Sequence, residues 1–229
     1  MTAATSPTMA VRVWDLPTRL FHWALVLAVI GLVITGKVGG NALVWHMRLG
    51  YVVFALLGFR IVWGLVGGHW SRFASFVHGP GTVLRYLRGA ARPGEHLDVG
   101  HNPLGAGSVL AMLLILALQV ASGLVVDDEI AVTGPLNKFV SSAMAGQATA
   151  WHKGPGQWLI FALVGLHVAA ILFYRFKRRE DLVTPMLRGD KQLEPGTPAA
   201  RDDTRSRLTA ALLLALWAIA VWLVVRLGG

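Results

Sequence analysis

Eight histidines and no cysteine in 229 residues confine any redox metal in this chain to imidazole, carboxylate or backbone ligands. The missing thiols remove disulfides, thiolate zinc sites, iron–sulfur clusters and covalent C-x-x-C-H haem attachment together. Four histidines, His22, His46, His152 and His167, lie within or at the edge of long apolar runs. A polar side chain at that depth is costly and usually faces the interior of a helix bundle. The other four, His69, His78, His96 and His101, fall in one Gly- and Arg-rich connection, where a solvated or interfacial imidazole is the ordinary case.

The depths of the first four match in pairs. His22 lies just inside one end of the first run, and His167 lies seven residues before the same-side end of the fourth. At ~1.5 Å per residue both fall in one leaflet. His46 opens the second run and His152 the fourth, both on the opposite side, so His22 can meet His167 and His46 can meet His152. The 15 residues from His152 to His167 correspond to ~22 Å of rise and place the two side chains roughly 60° apart around the axis, so one helix can serve two stacked sites. Two imidazoles per site in apolar surroundings fit a non-covalent b haem with both axial positions filled, hence two haem b per chain.

Haem propionates are anionic and call for cations at the same two depths. Arg48 is near the outer pair; Arg60, ~18 Å deeper on the same helix, is near the inner pair together with Arg19. Snorkelling to the interface is an equal alternative for Arg48 and Arg19. Arg60, inside Phe59-Arg60-Ile61-Val62-Trp63, has no carboxylate within a span, because Asp15 and the run Asp127-Asp128-Glu129 lie outside the apolar cores. A propionate of the inner haem is its expected partner. Gly50, four residues after His46, together with Gly165, Gly105, Gly107 and Gly123, offers room for the edge of a flat macrocycle. The tryptophans cluster at span ends and are explained as interfacial anchors.

The elements that must position these groups are five apolar runs, residues 20–36, 49–66, 104–126, 158–174 and 208–225. With 55% hydrophobic and 14% charged residues and a mean hydropathy of +0.57, this is the composition of an integral membrane protein. Asp15 before Pro17, Asn102 before Pro103 and Gly154-Pro155-Gly156 read as helix starts. The first run ends in Ile34-Thr35-Gly36-Lys37 rather than a small-residue cleavage site, so it is expected to stay in the mature protein. A short amphipathic helix is expected over residues 81–88 and a polar linker over 195–205.

Fifteen Lys and Arg fall outside the apolar cores on one side and four on the other, which also carries the acidic run at 127–129. The positive-inside rule therefore puts the N-terminus in the cytoplasm and the C-terminus in the periplasm. The net charge of +9 sits in gaps between apolar runs. Anionic lipid, not nucleic acid, is the partner it suggests.

Several motifs together resemble the prokaryotic cytochrome b561 family and the related cytochrome b subunits of nickel–iron hydrogenases. They are the opening stretch over residues 11–23 with its Arg12, Trp14, Asp15, Pro17, Arg19, Phe21, His22 and Trp23; Trp45-His46-Met47-Arg48-Leu49-Gly50-Tyr51; Phe59-Arg60-Ile61-Val62-Trp63-Gly64; His101-Asn102-Pro103-Leu104-Gly105; and Gly165-Leu166-His167-Val168-Ala169. The likeness covers residues 11 to 191. It implies an all-α membrane protein, a four-helix transmembrane bundle holding two bis-histidine haems b, with ligands on the first, second and fourth helices that map onto His22, His46, His152 and His167. In this family the two ligands of the fourth helix are 14 residues apart; here they are 15 apart with Gly154-Pro155-Gly156 between them. The inserted residue either rotates His152 away from its haem or is absorbed in a looser first turn. The fifth run lies outside the resemblance, giving a division into a dihaem domain 1–191, a linker 192–206 and an additional transmembrane helix 207–229.

The function implied is electron transfer across a bacterial cytoplasmic membrane, between the membrane quinone pool and a redox partner such as a periplasmic c-type cytochrome. A hydrogenase-type membrane subunit and a superoxide:quinone oxidoreductase are the alternatives within the family. A homodimer is compatible with either.

Overall fold

The computed structural model describes residues 8–90, 92, 95–129 and 132–228. Residues 1–7 of the expected first domain, and Gly229 at the end of the last helix, lie outside them. The elements run in chain order as β1 Met9–Arg12, α1 Leu16–Val38, α2 Leu43–Val66, α3 Pro80–Leu87, α4 Pro103–Gly123, α5 Ser142–Lys153, α6 Pro155–Phe173, α7 Val183–Arg188, β2 Asp190–Leu193 and α8 Thr204–Gly228. Among the described residues, five stretches are long and apolar enough to cross a bilayer: α1, α2 with its lead-in turn, α4, the segment Ser142–Arg178 that contains α5 and α6, and α8. The four-helix bundle with a fifth C-terminal helix is therefore observed, and the amphipathic helix expected at 81–88 is α3.

The helix starts are those the sequence marks. Asp15 accepts the Thr18 N–H at 2.8 Å with Pro17 in the first turn, and Asn102 accepts the Gly105 N–H at 2.8 Å with Pro103 at the first position. Both satisfy amides that have no partner within the helix. α1 stops at Gly39, whose φ of +69° lies in the region that favours glycine.

Two features differ from the sequence reading. The third run was expected to continue to residue 126, but α4 stops at Gly123. Backbone groups of residues 124 and 126 are taken instead by the returning chain, Leu136 N–H donating to Leu124 O and Gly134 N–H to Val126 O, both at 2.8 Å. The helix of the fourth run, α6, does begin at the Gly-Pro-Gly step, with Pro155 in its first turn. But a separate helix absent from the sequence reading, α5, capped by Ser141 on the Met144 N–H, precedes it, and Gly154 (φ −111°, ψ −109°) breaks the axis between them.

α2 is the central helix. It packs on α1, α4 and α8, while α4 packs on α5 and α6. Its buried face comprises Val53, Ala55, Leu56, Leu57, Gly58, Phe59, Arg60, Trp63 and Gly64. The Trp217 ring of α8 occupies the place a side chain at Gly58 would take, and Phe73 does the same at Gly64. Small residues that admit a neighbouring ring are how helices associate where burial from water contributes little. By contrast Leu20, Leu27, Ile30 and Ile34 on α1 and Leu208, Leu212, Leu216 and Leu223 on α8 remain exposed, as a lipid-facing surface requires.

A small cap closes the end of the bundle where α1 begins and α6 ends. β1 and β2 pair antiparallel, Met9 opposite Leu193 and Arg12 opposite Asp190, over a core of Val13, Trp14, Trp70, Val99 and Ala200. The expected linker 192–206 is shorter and better packed than its composition suggests. Gln192 and Leu193 belong to β2, Thr204 already starts α8, and between them Ala200 N–H donates to Arg12 O and Trp70 Nε1 to Pro198 O, each at 2.7 Å. The edge of β1 and a buried indole N–H both need acceptors, and this segment supplies them.

Candidate functional site

His46, in the first turn of α2, and His152, in the last turn of α5, face one another with ring centroids 6.0 Å apart and planes at 78°. The Nδ1 of His46 lies 3.0 Å from Leu32 O on α1, and the Nδ1 of His152 lies 3.0 Å from Gln119 O on α4. A carbonyl only accepts, so each ring carries its proton on Nδ1 and keeps the Nε2 lone pair for something else. That is the second-shell arrangement of a metal-binding histidine. Gly36 and Gly123 face these rings so closely that a Cβ would come within 3.1 Å and 3.0 Å of the His46 and His152 Cε1 atoms.

His22 of α1 and His167 of α6 form the second pair, with centroids 6.4 Å apart and planes at 54°. The Nδ1 of His22 is buried without a hydrogen-bond partner, and Trp23 stands edge-on to its ring. α1 and α6 are not among the closely packed helix pairs of the described residues.

Both pairs suit a haem iron. An imidazole nitrogen binds a metal at about 2.0–2.1 Å and its ring centre lies roughly 1.1 Å beyond, so two imidazoles on opposite sides of one iron stand about 6.2 Å apart. The observed 6.0 and 6.4 Å bracket that value. Among the described residues no group of three or more His, Asp or Glu is placed to hold a bare metal ion. Two imidazoles with a macrocycle completing the coordination, rather than a protein-only cage, is the chemistry this donor set supports.

The structure brings together all four predicted histidines in the predicted pairs. The helix breaks at Gly154, between His152 and His167, and the His152 ring faces that of His46. Arg60 is 2% exposed, stacks its guanidinium 4.9 Å from the Phe73 ring centre, and leaves Nη1 buried without a partner. As expected, no carboxylate lies within a span: Asp15 caps α1 just outside it, is fully buried and accepts from Trp63 Nε1 at 3.2 Å, and no ion pair or hydrogen bond joins it to Arg60 among the described residues. The other predicted residues are engaged differently. Arg19 donates to Leu187 O at 2.6 Å, Arg48 is exposed and lies 5.0 Å over Trp45, and a side chain at Gly50 would meet open space.

Sequence reasoning passed over three groups. Gln119 was legible as an amide in the middle of an apolar run. His101, placed among the loop histidines, has its ring 4.8 Å from Trp14 and 4.7 Å from Phe76 with Nδ1 buried. Burial, then the positive Arg60 and then His167 and His22, pushes its pKa down to about 3. Asp15 is more than a helix cap: its two oxygens accept from Thr18 N, Trp63 Nε1 and Ser71 Oγ.

Residues 13–189 match the family model of prokaryotic cytochrome b561. Among curated proteins, "Probable Ni/Fe-hydrogenase 1 B-type cytochrome subunit" of Escherichia coli (strain K12) is 26% identical over 77% of this chain and 88% of its own length. "Probable Ni/Fe-hydrogenase B-type cytochrome subunit" of Cupriavidus necator H16 is 27% identical over 79% and 86%, and the protein of the same name from Azotobacter vinelandii is 25% identical over 82% and 91%. No solved structure gives a significant match. The matched range contains four of the five membrane-spanning segments and both histidine pairs, and on that match the chain belongs to the prokaryotic cytochrome b561 family, membrane b-type cytochromes that carry haem b and transfer electrons.

Proposed function

We propose that this protein conducts electrons across a bacterial cytoplasmic membrane through two stacked bis-histidine b haems, between membrane quinone and a redox partner protein. His22 and His167 would hold the inner haem and His46 and His152 the outer. The observation that carries the reading is the pair of imidazole couples, 6.4 and 6.0 Å between ring centres, at opposite ends of one bundle. When bound, each haem iron takes up and gives back one electron. Imidazole on both sides leaves no coordination position for oxygen, which favours electron transfer over oxygen chemistry.

The protein's contribution is positional. Leu32 O and Gln119 O hold the outer rings in one tautomer and orientation, Gly36 and Gly123 let those rings approach the helices, and Gly50 leaves space on the same face of α2. Arg60 is the propionate partner at the inner depth. Arg48 and Arg19 serve as an interfacial anchor and as a tie between α1 and α7, in keeping with the contacts they make.

The charge asymmetry supports a cytoplasmic N-terminus, with anionic lipid against the basic face, and a periplasmic C-terminus. The names of the relatives favour a Ni/Fe-hydrogenase-type enzyme as the redox partner, docking on the outer side near His46 and His152. The test is a visible spectrum of purified protein before and after dithionite, with a pyridine haemochrome assay. Two haems b per chain with low-spin bands are expected; one or none overturns the dihaem assignment.

A further inference from the structure

Among the buried nitrogens without a partner at the inner end, alongside His22 Nδ1 and Arg19 Nε, are Arg60 Nη1 and His101 Nδ1. His101 immediately precedes Asn102, the cap of α4, and its ring is fixed between Trp14 at the start of α1 and Phe76 of the 67–102 connection. It shares its electrostatic surroundings with Arg60, His167 and His22, each of which acts on its charge. Neither nitrogen bonds the buried carboxylate of Asp15, which accepts instead from Thr18 N at 2.8 Å, Trp63 Nε1 at 3.2 Å and Ser71 Oγ at 2.6 Å. A guanidinium and an imidazole near one another, each with a buried open nitrogen, call for an anionic acceptor that no described residue provides.

We propose that His101 is a positioning residue of the inner haem site, donating from Nδ1, together with Arg60, to one propionate carboxylate of the inner haem. This rests on the dihaem reading above. His101 is not an axial ligand, because His22 and His167 already stand at the spacing of two imidazoles about one iron. The arrangement places a hydrogen-bond donor and a cation on one carboxylate, so both raise the potential of the inner haem by compensating charge gained on reduction.

The test is a redox titration of the purified holoprotein and of His101→Phe, His101→Gln and Arg60→Gln, with the inner haem identified as the one lost in His22→Ala. His101→Phe and Arg60→Gln should each keep two low-spin haems and lower the inner potential alone, and His101→Gln, which retains a donor, should restore much of the shift. A merely structural ring would be replaced well by Phe and badly by Gln. An unchanged inner potential in His101→Phe overturns the proposal, as does loss of the inner low-spin spectrum that Gln fails to restore. Wild-type protein refilled with haem dimethyl ester gives a second measure that needs no variant. The inner site should retain the ester less well than haem, and equal retention overturns the proposal. A wild-type protein without haem fails the dihaem reading itself, which its spectrum alone reveals.

Discussion

His152 and Gln119 hold each other twice. The Nδ1 of His152 lies 3.0 Å from the backbone carbonyl of Gln119, and the side-chain amide of Gln119 donates to the backbone carbonyl of His152 at 2.8 Å. The second bond satisfies a carbonyl left open where α5 ends, just ahead of the break at Gly154. The first fixes the ring. Ser122 Oγ lies 3.1 Å from the same Nδ1, so two residues of α4, a helix with no ligand of its own, set the position and the tautomer of an outer histidine.

Gln119→Leu removes the amide and leaves the His152 carbonyl without its partner inside the membrane. The Nδ1 contact is to backbone and persists, so the variant should fold and keep its inner haem. Its outer haem should bind about 10–100-fold more weakly, the range typical of lost second-shell support. Haem stoichiometry across a dilution series measures this.

The four histidines separate by site. His22→Ala or His167→Ala should reduce the haemochrome count from two to one and leave the outer haem; His46→Ala or His152→Ala should leave the inner one. Loss of both haems from a folded single variant would mean that the sites are not independent.

Asp202 ties the cap to the last helix. It accepts from Arg207 Nε at 3.0 Å, Leu16 N at 3.2 Å and Arg12 Nη1 at 3.3 Å. Partial burial opposes its ionisation, but Arg207, the Leu16 N–H and Arg12 outweigh that and hold Asp202 below the usual carboxylate range. A depressed carboxylate stabilises the fold above its unfolded value, near 3.8, and the contribution disappears as pH falls through the lower folded value. Asp202→Asn should cost about 1 kcal/mol at neutral pH, limited because Arg207 is half exposed, and should flatten the acid limb of a thermal-melting profile.

Orientation is checked by reporters. A fusion after the last residue should report the periplasm and one at Arg92 the cytoplasm, as the fifteen-to-four distribution of basic residues requires. A cytoplasmic C-terminus would reverse the placement of α8 without touching either histidine pair.

The sequence by itself determined the five spans, the caps at Asp15 and Asn102, and the pairing of the four histidines. Span length, helix starts and depth are local quantities: they follow from runs of apolar residues and a fixed rise per residue, and need no knowledge of which helix neighbours which. Tertiary structure decided what depends on distant partners. The four-residue strands β1 and β2 exist because segments nearly 180 residues apart meet, and neither carries a readable periodicity of its own. The packed segment between β2 and α8 looks polar until Trp70 and Arg12 are seen to need its backbone. His101 reads as a loop histidine until Trp14 and Phe76 enclose it, and Asp15 reads as a helix cap alone until Trp63 and Ser71 fold over it. Which carbonyl receives each Nδ1 depends on the rotation of α1 and α4 about their axes, which packing sets and sequence spacing does not.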